Sequence, residues 1–214
     1  DPSYDILPFW VIRMIMLGLY VTEKVPFEHV LLHGLVRDRF GVKISKSKGN
    51  VIDPIEMTNK YGADALRVAS IWGILVENDN SLSEDNIRGQ RNFTNKIWNA
   101  SRFVLQFTKT ADKNPLFESK INTIVREVPD HLDHFRLSQA AEKLYSEFWH
   151  WYCDEVIEQA KLGKISASEL RWGLETFLKL LHPFAPFVTE AIWSLGFARD
   201  KQDLLISSSW PEHT

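Results

Sequence analysis

The sequence GVKISKSKGN occupies residues 41–50, and Val51-Ile52-Asp53-Pro54 follows it. Its three lysines alternate with hydroxyl and apolar side chains between two glycines, so their ammonium groups can converge on one polyanion. Asp53 is a suitable helix N-cap, and Pro54 suits the first helical position, which needs no N–H donor. On the other side, Val30-Leu31-Leu32 indicates a buried strand. The stretch is therefore predicted to be a cationic loop, held between a strand and a helix, that binds phosphate.

A short lysine-rich run also occurs as a solvated linker or as a targeting patch. Here its surroundings favour a specific loop, because His33-Gly34 and Asp38 precede it and an Asp-Pro helix start follows it. In this order the stretch resembles the second signature of class I aminoacyl-tRNA synthetases, the KMSKS loop. Ile44 stands where that family usually has methionine, which is a volume-conserving apolar exchange.

Composition allows one or two globular domains, since the chain has 214 residues, 44% hydrophobic residues and eight tryptophans. With 25 basic and 28 acidic residues the net charge is −3, so a nucleic-acid site has to be a local patch. Residues 37–48 form such a patch, with five basic residues against Asp38. The lone Cys153 excludes an internal disulfide and fits a reducing compartment, so a cytoplasmic location and a core role for this thiol are expected.

The N-terminal segment is strongly apolar. Residues 5–20 predict a mostly buried helix, with Asp5 as a cap and Pro8 in the first turn. The run from 9 to 21 contains Arg13 and is shorter than the roughly 20 residues that a bilayer requires, so no membrane span is expected. Because this apolar segment has nothing before it to pack against, we expect the chain to be a piece of a longer polypeptide.

Residues 5–18, DILPFWVIRMIMLG, resemble the helix before this loop in valyl-tRNA synthetases, whereas isoleucyl and leucyl enzymes carry other residues there. The resemblance implies that Ile6 and Trp10 line the amino-acid pocket; four positions apart, they share a helix face. Pro8 departs from the aromatic residue usual in that family. Without the resemblance, both Ile6 and Trp10 are expected to be core residues.

Residues 27–34 predict a strand that ends in a turn. His29 and His33 lie on one face of such a strand, but no third ligand is near, so no metal site is expected. From their position before the loop, His33 and Gly34 are expected to approach bound nucleotide; a satisfied surface histidine is the alternative.

Helical patterns dominate the rest of the chain. Residues 53–72 predict a helix interrupted at Tyr61-Gly62, and the wording YGADALR resembles the same family. The polar connector 77–83 gives the predicted boundary between a domain at 1–80 and a helical domain at 81–214.

A long helix is predicted to open at Ser83, and its apolar positions are Ile87, Phe93, Ile97, Ala100 and Val104. Its other face is basic, because residues 86–105 contain no acid. Arg88, Arg91 and Asn95 fall at i, i+3 and i+7 and can follow a phosphate backbone, and Arg102 belongs to the same stretch. A solvated basic face is the alternative interpretation.

Further helices are predicted around 121–128, where Pro129 is expected to stop the helix, and along a strong apolar stripe from Leu137 to Val156. Within that stripe, Phe148, Trp151 and Tyr152 are expected in the core, whereas Trp149 either stacks on an unpaired base or packs inside. Two more helices follow, the first capped by Ser166 or Ser168. The sequence LLHPFAPFVTE at 180–190 resembles the end of the anticodon-binding bundle in the valine, isoleucine and leucine group.

Together the motifs identify a mainly α chain: the C-terminal remnant of a Rossmann-like class I synthetase domain, followed by an α-helical bundle. The resemblance implies activation of valine by ATP with Mg²⁺ and transfer to tRNA(Val), no structural metal, and a missing N-terminal half of the polypeptide. It also implies that Lys46 and then Lys43 stabilise the reacting phosphates, with Ser45 and Ser47 donating to phosphate oxygens. The alternatives are a non-catalytic RNA-binding helical module and a synthetase of isoleucine or leucine specificity.

Overall fold

The computed structural model describes residues 2–38, 40–45, 51–73 and 79–212. The chain forms two compact units, one of Asp1–Ile52 with Gly73–Ser83 and one of Asp53–Trp72 with Glu84–Thr214. Within the cationic loop, Lys46 and Ser47 lie outside the described residues.

The first unit begins with a continuous helical segment, in which a 3₁₀ turn at Tyr4–Ile6 and a π-helical stretch at Leu7–Val11 lead into α1, Ile12–Thr22. The predicted burial of this segment is wrong for this chain. Val11 is its only buried residue within the described part of the unit, and Tyr20 is 87% exposed. The described residues of this unit do not supply enough other apolar surface to cover a helix that is hydrophobic on all sides. By length and composition alone, Tyr4–Thr22 also qualifies as a membrane-crossing helix.

Regular strands in the first unit are short. The strand β1, Val36–Arg37, pairs in parallel with β2, Asn80–Ser81. The strand predicted at Val30-Leu31-Leu32 is wrong, because this stretch is not in a hydrogen-bonded ladder and Val30 is 37% exposed. Among the residues that the structure describes, a single isolated bridge forms next to it, between Ser3 and His33. An apolar run becomes a strand when a neighbouring backbone supplies its hydrogen bonds, and one bridge supplies too few.

The second unit starts with two short helices, α2 at Pro54–Tyr61 and α3 at Ala63–Ile71. As predicted, Asp53 caps α2, since its carboxylate accepts hydrogen bonds from the backbone N–H groups of Ile55 (2.8 Å) and Glu56 (3.4 Å). The predicted break is also confirmed: Gly62 has φ +92°, a conformation that suits glycine. Residues 53–72 belong to the helical unit in packing, although the boundary expected from the sequence lies at 80/81.

The bundle consists of α4 at Glu84–Gln106, α5 at Pro115–Asp133, α6 at Leu137–Ser146, a π-helical stretch at Glu147–Val156, α7 at Ile157–Lys161, α8 at Ala167–Leu181 and α9 at Pro186–Gly196. All five apolar positions predicted for α4 are buried. The predicted stop at Pro129 is wrong, because α5 continues through it to Asp133. An internal proline costs about 3 kcal/mol, and burial of the α5 face around Ile121 and Val128, both 0% exposed, offsets this cost.

The centre of the bundle is aromatic. Phe148 and Tyr152 are 0% exposed, and the Tyr152 hydroxyl donates to the Leu170 carbonyl at 2.5 Å. Cys153 is buried beside them, and burial raises the pKa of its thiol to about 12. The core roles predicted for Phe148, Tyr152 and Cys153 are confirmed, whereas Trp151 is half-buried against the core. At the start of α8, Ser166 rather than Ser168 forms the cap, in a capping box with Glu169.

Candidate functional site

A tight turn brings the chain into the cationic loop. The Asp38 carboxylate accepts hydrogen bonds from the N–H groups of Phe40 and Val42, both at 2.9 Å. Gly41 has φ +76° and donates its N–H to the Asp38 carbonyl at 2.9 Å, closing a turn that asparagine, aspartate and glycine favour. The turn returns the backbone alongside β1, where Arg37 and Lys43 form an antiparallel bridge. The first glycine of the motif thus fixes where the loop starts.

A carboxylate from the connector holds this turn in place. The Asp79 side chain accepts a hydrogen bond from the Leu35 N–H at 2.7 Å and pairs with the Arg37 guanidinium. The Leu35 hydrogen bond and then the Arg37 side chain lower the pKa of Asp79. Sequence reasoning missed this clamp, because 42 residues separate Arg37 from Asp79 and nothing in the connector distinguishes this acid.

Lys43 contacts the beginning of the apolar helical segment. Its Nζ lies 3.1 Å from the Asp5 carboxylate, and hydrogen bonds from Ser3 and then from Lys43 lower the pKa of Asp5. Asp5, expected to be a helix cap, therefore binds the loop lysine instead. The contact places Lys43 one residue from Ile6, which is 40% exposed, while Trp10 is 58% exposed. Neither apolar side chain is buried within the described residues, so both remain predicted pocket residues.

The other predicted nucleotide contacts lie in the same unit. His33 is exposed and its Nδ1 lies 2.9 Å from the Gly34 carbonyl oxygen, while Gly34 itself is buried. Ser45 is half-buried. Across the described residues there is no cluster of three or more metal-ligating side chains.

In the helical unit, the predicted RNA-contacting residues of α4 share one exposed face. Arg88, Arg91, Asn95 and Arg102 are all exposed, and the half-buried Trp98 lies between the last two along the helix. Arg88 pairs with Asp85 of its own helix at 2.8 Å, a surface ion pair that contributes little to stability. Arg91 and Asn95 line a groove of about 420 Å³. The i, i+3, i+7 spacing of the sequence placed Arg91 and Asn95 on one face, but it did not predict the residues of the other helices that line the groove.

Trp149, the residue left open between base stacking and core packing, is half-buried. Its ring stacks on Tyr145, with centroids 5.3 Å apart, and lies parallel to Phe93 at 6.3 Å. The Lys96 ammonium lies 5.2 Å from its centroid and also pairs with Asp154 at 2.8 Å. These contacts favour packing over base stacking for Trp149.

Two known families match this chain. Residues 2–83 match tRNA synthetases class I (I, L, M and V), and residues 115–214 match the anticodon-binding domain of tRNA ligase. Over 98% of the chain, valine–tRNA ligase of Clostridium tetani is 40% identical, and that of Bradyrhizobium diazoefficiens is 39% identical. The chain spans about a quarter of the length of these relatives, 26% and 24% respectively.

A solved structure has the same fold: the LeuRS of Agrobacterium radiobacter K84, crystallised as a ternary complex with tRNA and LeuAMS. It matches with a TM-score of 0.84 over 100% of this chain and 28% of its own, at 19% identity. The two family matches follow one another along the chain, and the valine–tRNA ligases match both together. Residues 2–83 therefore belong to the class I tRNA synthetases of the isoleucine, leucine, methionine and valine group, and residues 115–214 belong to the anticodon-binding domains of tRNA ligases.

Proposed function

We propose that this chain is part of a valine–tRNA ligase, which forms valyl-adenylate from valine and the ATP·Mg²⁺ complex and then transfers the valyl group to tRNA(Val). The observation that carries the proposal is the identity of about 40% to valine–tRNA ligases along 98% of the chain. A cytoplasmic location accompanies this proposal.

The loop supplies positive charge to the first step. Attack of the valine carboxylate on the α-phosphorus forms a P–O bond and releases pyrophosphate, so negative charge gathers on the phosphate oxygens. Lysines accelerate the reaction if they stabilise this negative charge more strongly in the transition state than in bound ATP. Lys46 is our first candidate and Lys43 the second. Lys43 can exchange Asp5 for a phosphate, because the ion pair is solvent-exposed, with 51% and 35% of the two side chains accessible.

The proposed activity is tested by ATP–pyrophosphate exchange with the complete polypeptide that contains this chain. We expect exchange that depends on valine, and we expect Lys46→Ala to lower its rate by roughly 10²- to 10³-fold, the usual effect of removing one charge-stabilising group. Lys201→Ala, at an exposed lysine of the helical unit, is the control and should leave the rate unchanged.

The outcome also separates the alternatives. Exchange driven by isoleucine or leucine indicates one of the related specificities, and RNA binding without exchange by any amino acid indicates a non-catalytic module. The 214-residue chain alone should show only background exchange, because it lacks a His-x-Gly-His-type signature.

A further inference from the structure

The groove on the α4 face is built from aromatic and polar side chains. We name it the α4–α9 groove; the side chains that matter here are Tyr61, Arg91, Thr94, Asn95, Trp98 and Phe187. Its volume of about 420 Å³ lies within the range of small-ligand sites. All of its lining residues belong to the helical unit.

The aromatic side chains give the groove flat apolar walls. Phe187, in the first turn of α9, is 66% exposed, so its ring is accessible to a ligand in the groove. Tyr61 also lines the groove, and its hydroxyl donates to the Glu84 carboxylate at 2.7 Å, so its ring is fixed in position. Rigid aromatic surfaces of this kind bind the face of a nucleobase whatever its sequence.

The polar groups in the groove suit the edge of a base. Within the described part of the chain, the Arg91 guanidinium and the Asn95 amide form no side-chain hydrogen bond or ion pair, so their donors and acceptor are available. The carboxylate of Asp64 also borders the groove, but it already accepts hydrogen bonds from the N–H groups of Phe187 (3.2 Å) and Val188 (2.7 Å). These two N–H groups cannot also bind a phosphate. The groove therefore favours a neutral, hydrogen-bonding aromatic ligand over a bare anion.

Cationic residues continue the groove in both directions along α4. Arg88 and Arg102 lie on the same helix face as Arg91 and Asn95, and their separation of 14 positions corresponds to about 21 Å of helix. A single RNA strand that follows this face can place phosphates near both arginines while one nucleotide turns inward between them.

From this juxtaposition we propose that the α4–α9 groove binds one unpaired nucleobase of the RNA whose backbone follows Arg88 and Arg102. This inference rests on the proposed function, because it takes the RNA to be the tRNA substrate. It adds a base-stacking site, with Phe187 as its principal contact, to a face for which the sequence predicted only backbone contacts.

The test measures the affinity of the 214-residue chain for a fluorescein-labelled tRNA(Val) transcript. Phe187→Ala should weaken binding roughly 5- to 150-fold, the range observed when one base-stacking aromatic is removed. Phe187→Tyr keeps the ring and should restore most of the affinity. Leu195→Ala is the matched control, since Leu195 is a similarly exposed apolar residue of α9 (69%) outside the groove. The alanine at 187 retains the backbone N–H that bonds Asp64, so the fold should be preserved.

The salt dependence of binding distinguishes the groove from the backbone contacts. Stacking releases no counterions, so Phe187→Ala should leave the slope of log affinity against log salt unchanged, whereas Arg88→Glu with Arg102→Glu should flatten it. If the arginine pair weakens binding but Phe187→Ala matches Leu195→Ala, the groove site is refuted and the proposed function stands. If the unaltered chain binds tRNA(Val) no better than an unrelated RNA duplex, both the groove site and the RNA-binding part of the proposed function fail.

Discussion

Replacing Asp64 by alanine should lower the free energy of unfolding of the helical unit by about 2 kcal/mol, because Asp64 caps a helix distant in the sequence. Its side chain is 6% exposed and accepts two hydrogen bonds from the first turn of α9, at 3.2 and 2.7 Å. The residue at the N-cap position of α9, Ala185, has no side chain that can do this. Asp64 thus satisfies donors that α9 cannot satisfy by itself.

Two opposing contributions set the magnitude. Loss of two hydrogen bonds to a charged acceptor costs several kcal/mol in total, at roughly 1.5–3 kcal/mol each. Part of this is regained, because burial raises the pKa of Asp64 despite the two hydrogen bonds, which shows that the folded protein disfavours its charged form. A net loss of about 2 kcal/mol corresponds to a melting temperature roughly 4–8 °C lower for a chain of this size. Asp64→Asn keeps one acceptor without the charge and should cost less than half as much.

Thermal and urea unfolding, followed by far-ultraviolet circular dichroism, measures this difference. Asp112→Ala is the control, because Asp112 is an exposed aspartate for which a change below about 0.5 kcal/mol is expected. If Asp64→Ala unfolds within about 0.5 kcal/mol of the unaltered chain, water replaces the carboxylate at the α9 N-terminus and the tertiary cap is not stabilising.

Two further predictions concern stability. Gly173→Ala should destabilise the bundle by about 1–3 kcal/mol, because its new Cβ would lie 2.8 Å from the Phe117 ring and 2.9 Å from the Tyr152 ring. Gly89→Ala should instead stabilise α4 by about 0.5–1 kcal/mol, because its Cβ would meet nothing within 4 Å among the described residues. Equal effects of the two changes on the free energy of urea unfolding would contradict this. Glu169 is predicted to make the bundle acid-sensitive: burial acts to raise its pKa, but hydrogen bonds from two backbone N–H groups and a hydroxyl lower it below the ordinary 4.5. Its stabilising effect is present above that pH and lost as the pH falls through the folded pKa, so the stability difference between the unaltered chain and Glu169→Gln should shrink on acidification, and a constant difference would refute the assignment.

Local signals predicted the bundle well. The period of apolar residues in α4 and the Asp53 cap each depend on side chains within a few positions of one another, so the sequence contains all the groups that form them. For α8 the sequence left the cap open between Ser166 and Ser168, and the structure selects Ser166. The stop predicted at Pro129 was wrong because a local cost was offset by burial of the rest of α5, and the amount of that burial depends on the neighbouring helices.

The candidate site was predicted in part. The order of the loop motif and the spacing along α4 predict which residues meet phosphate and RNA, and these roles stay predictions. The partners of those residues did not follow from the sequence: Lys43 contacts Asp5, 38 positions away, and Arg37 contacts Asp79, 42 positions away. Phe187, which forms a wall of the α4–α9 groove, was not distinguishable in the sequence from a core residue.

The sequence by itself determined the helical class of the chain, the apolar positions of α4 and the Asp53 cap of α2, and its motifs indicated the family, because these depend on short-range periodicity and on motifs that are read in order. Tertiary structure alone decided that most of residues 5–20 are exposed, that residues 30–32 form no strand and that Asp64 caps α9. Each of these outcomes depends on which segments contact one another after folding. Burial and hydrogen-bond satisfaction are set by those contacts and cannot be read from one segment alone.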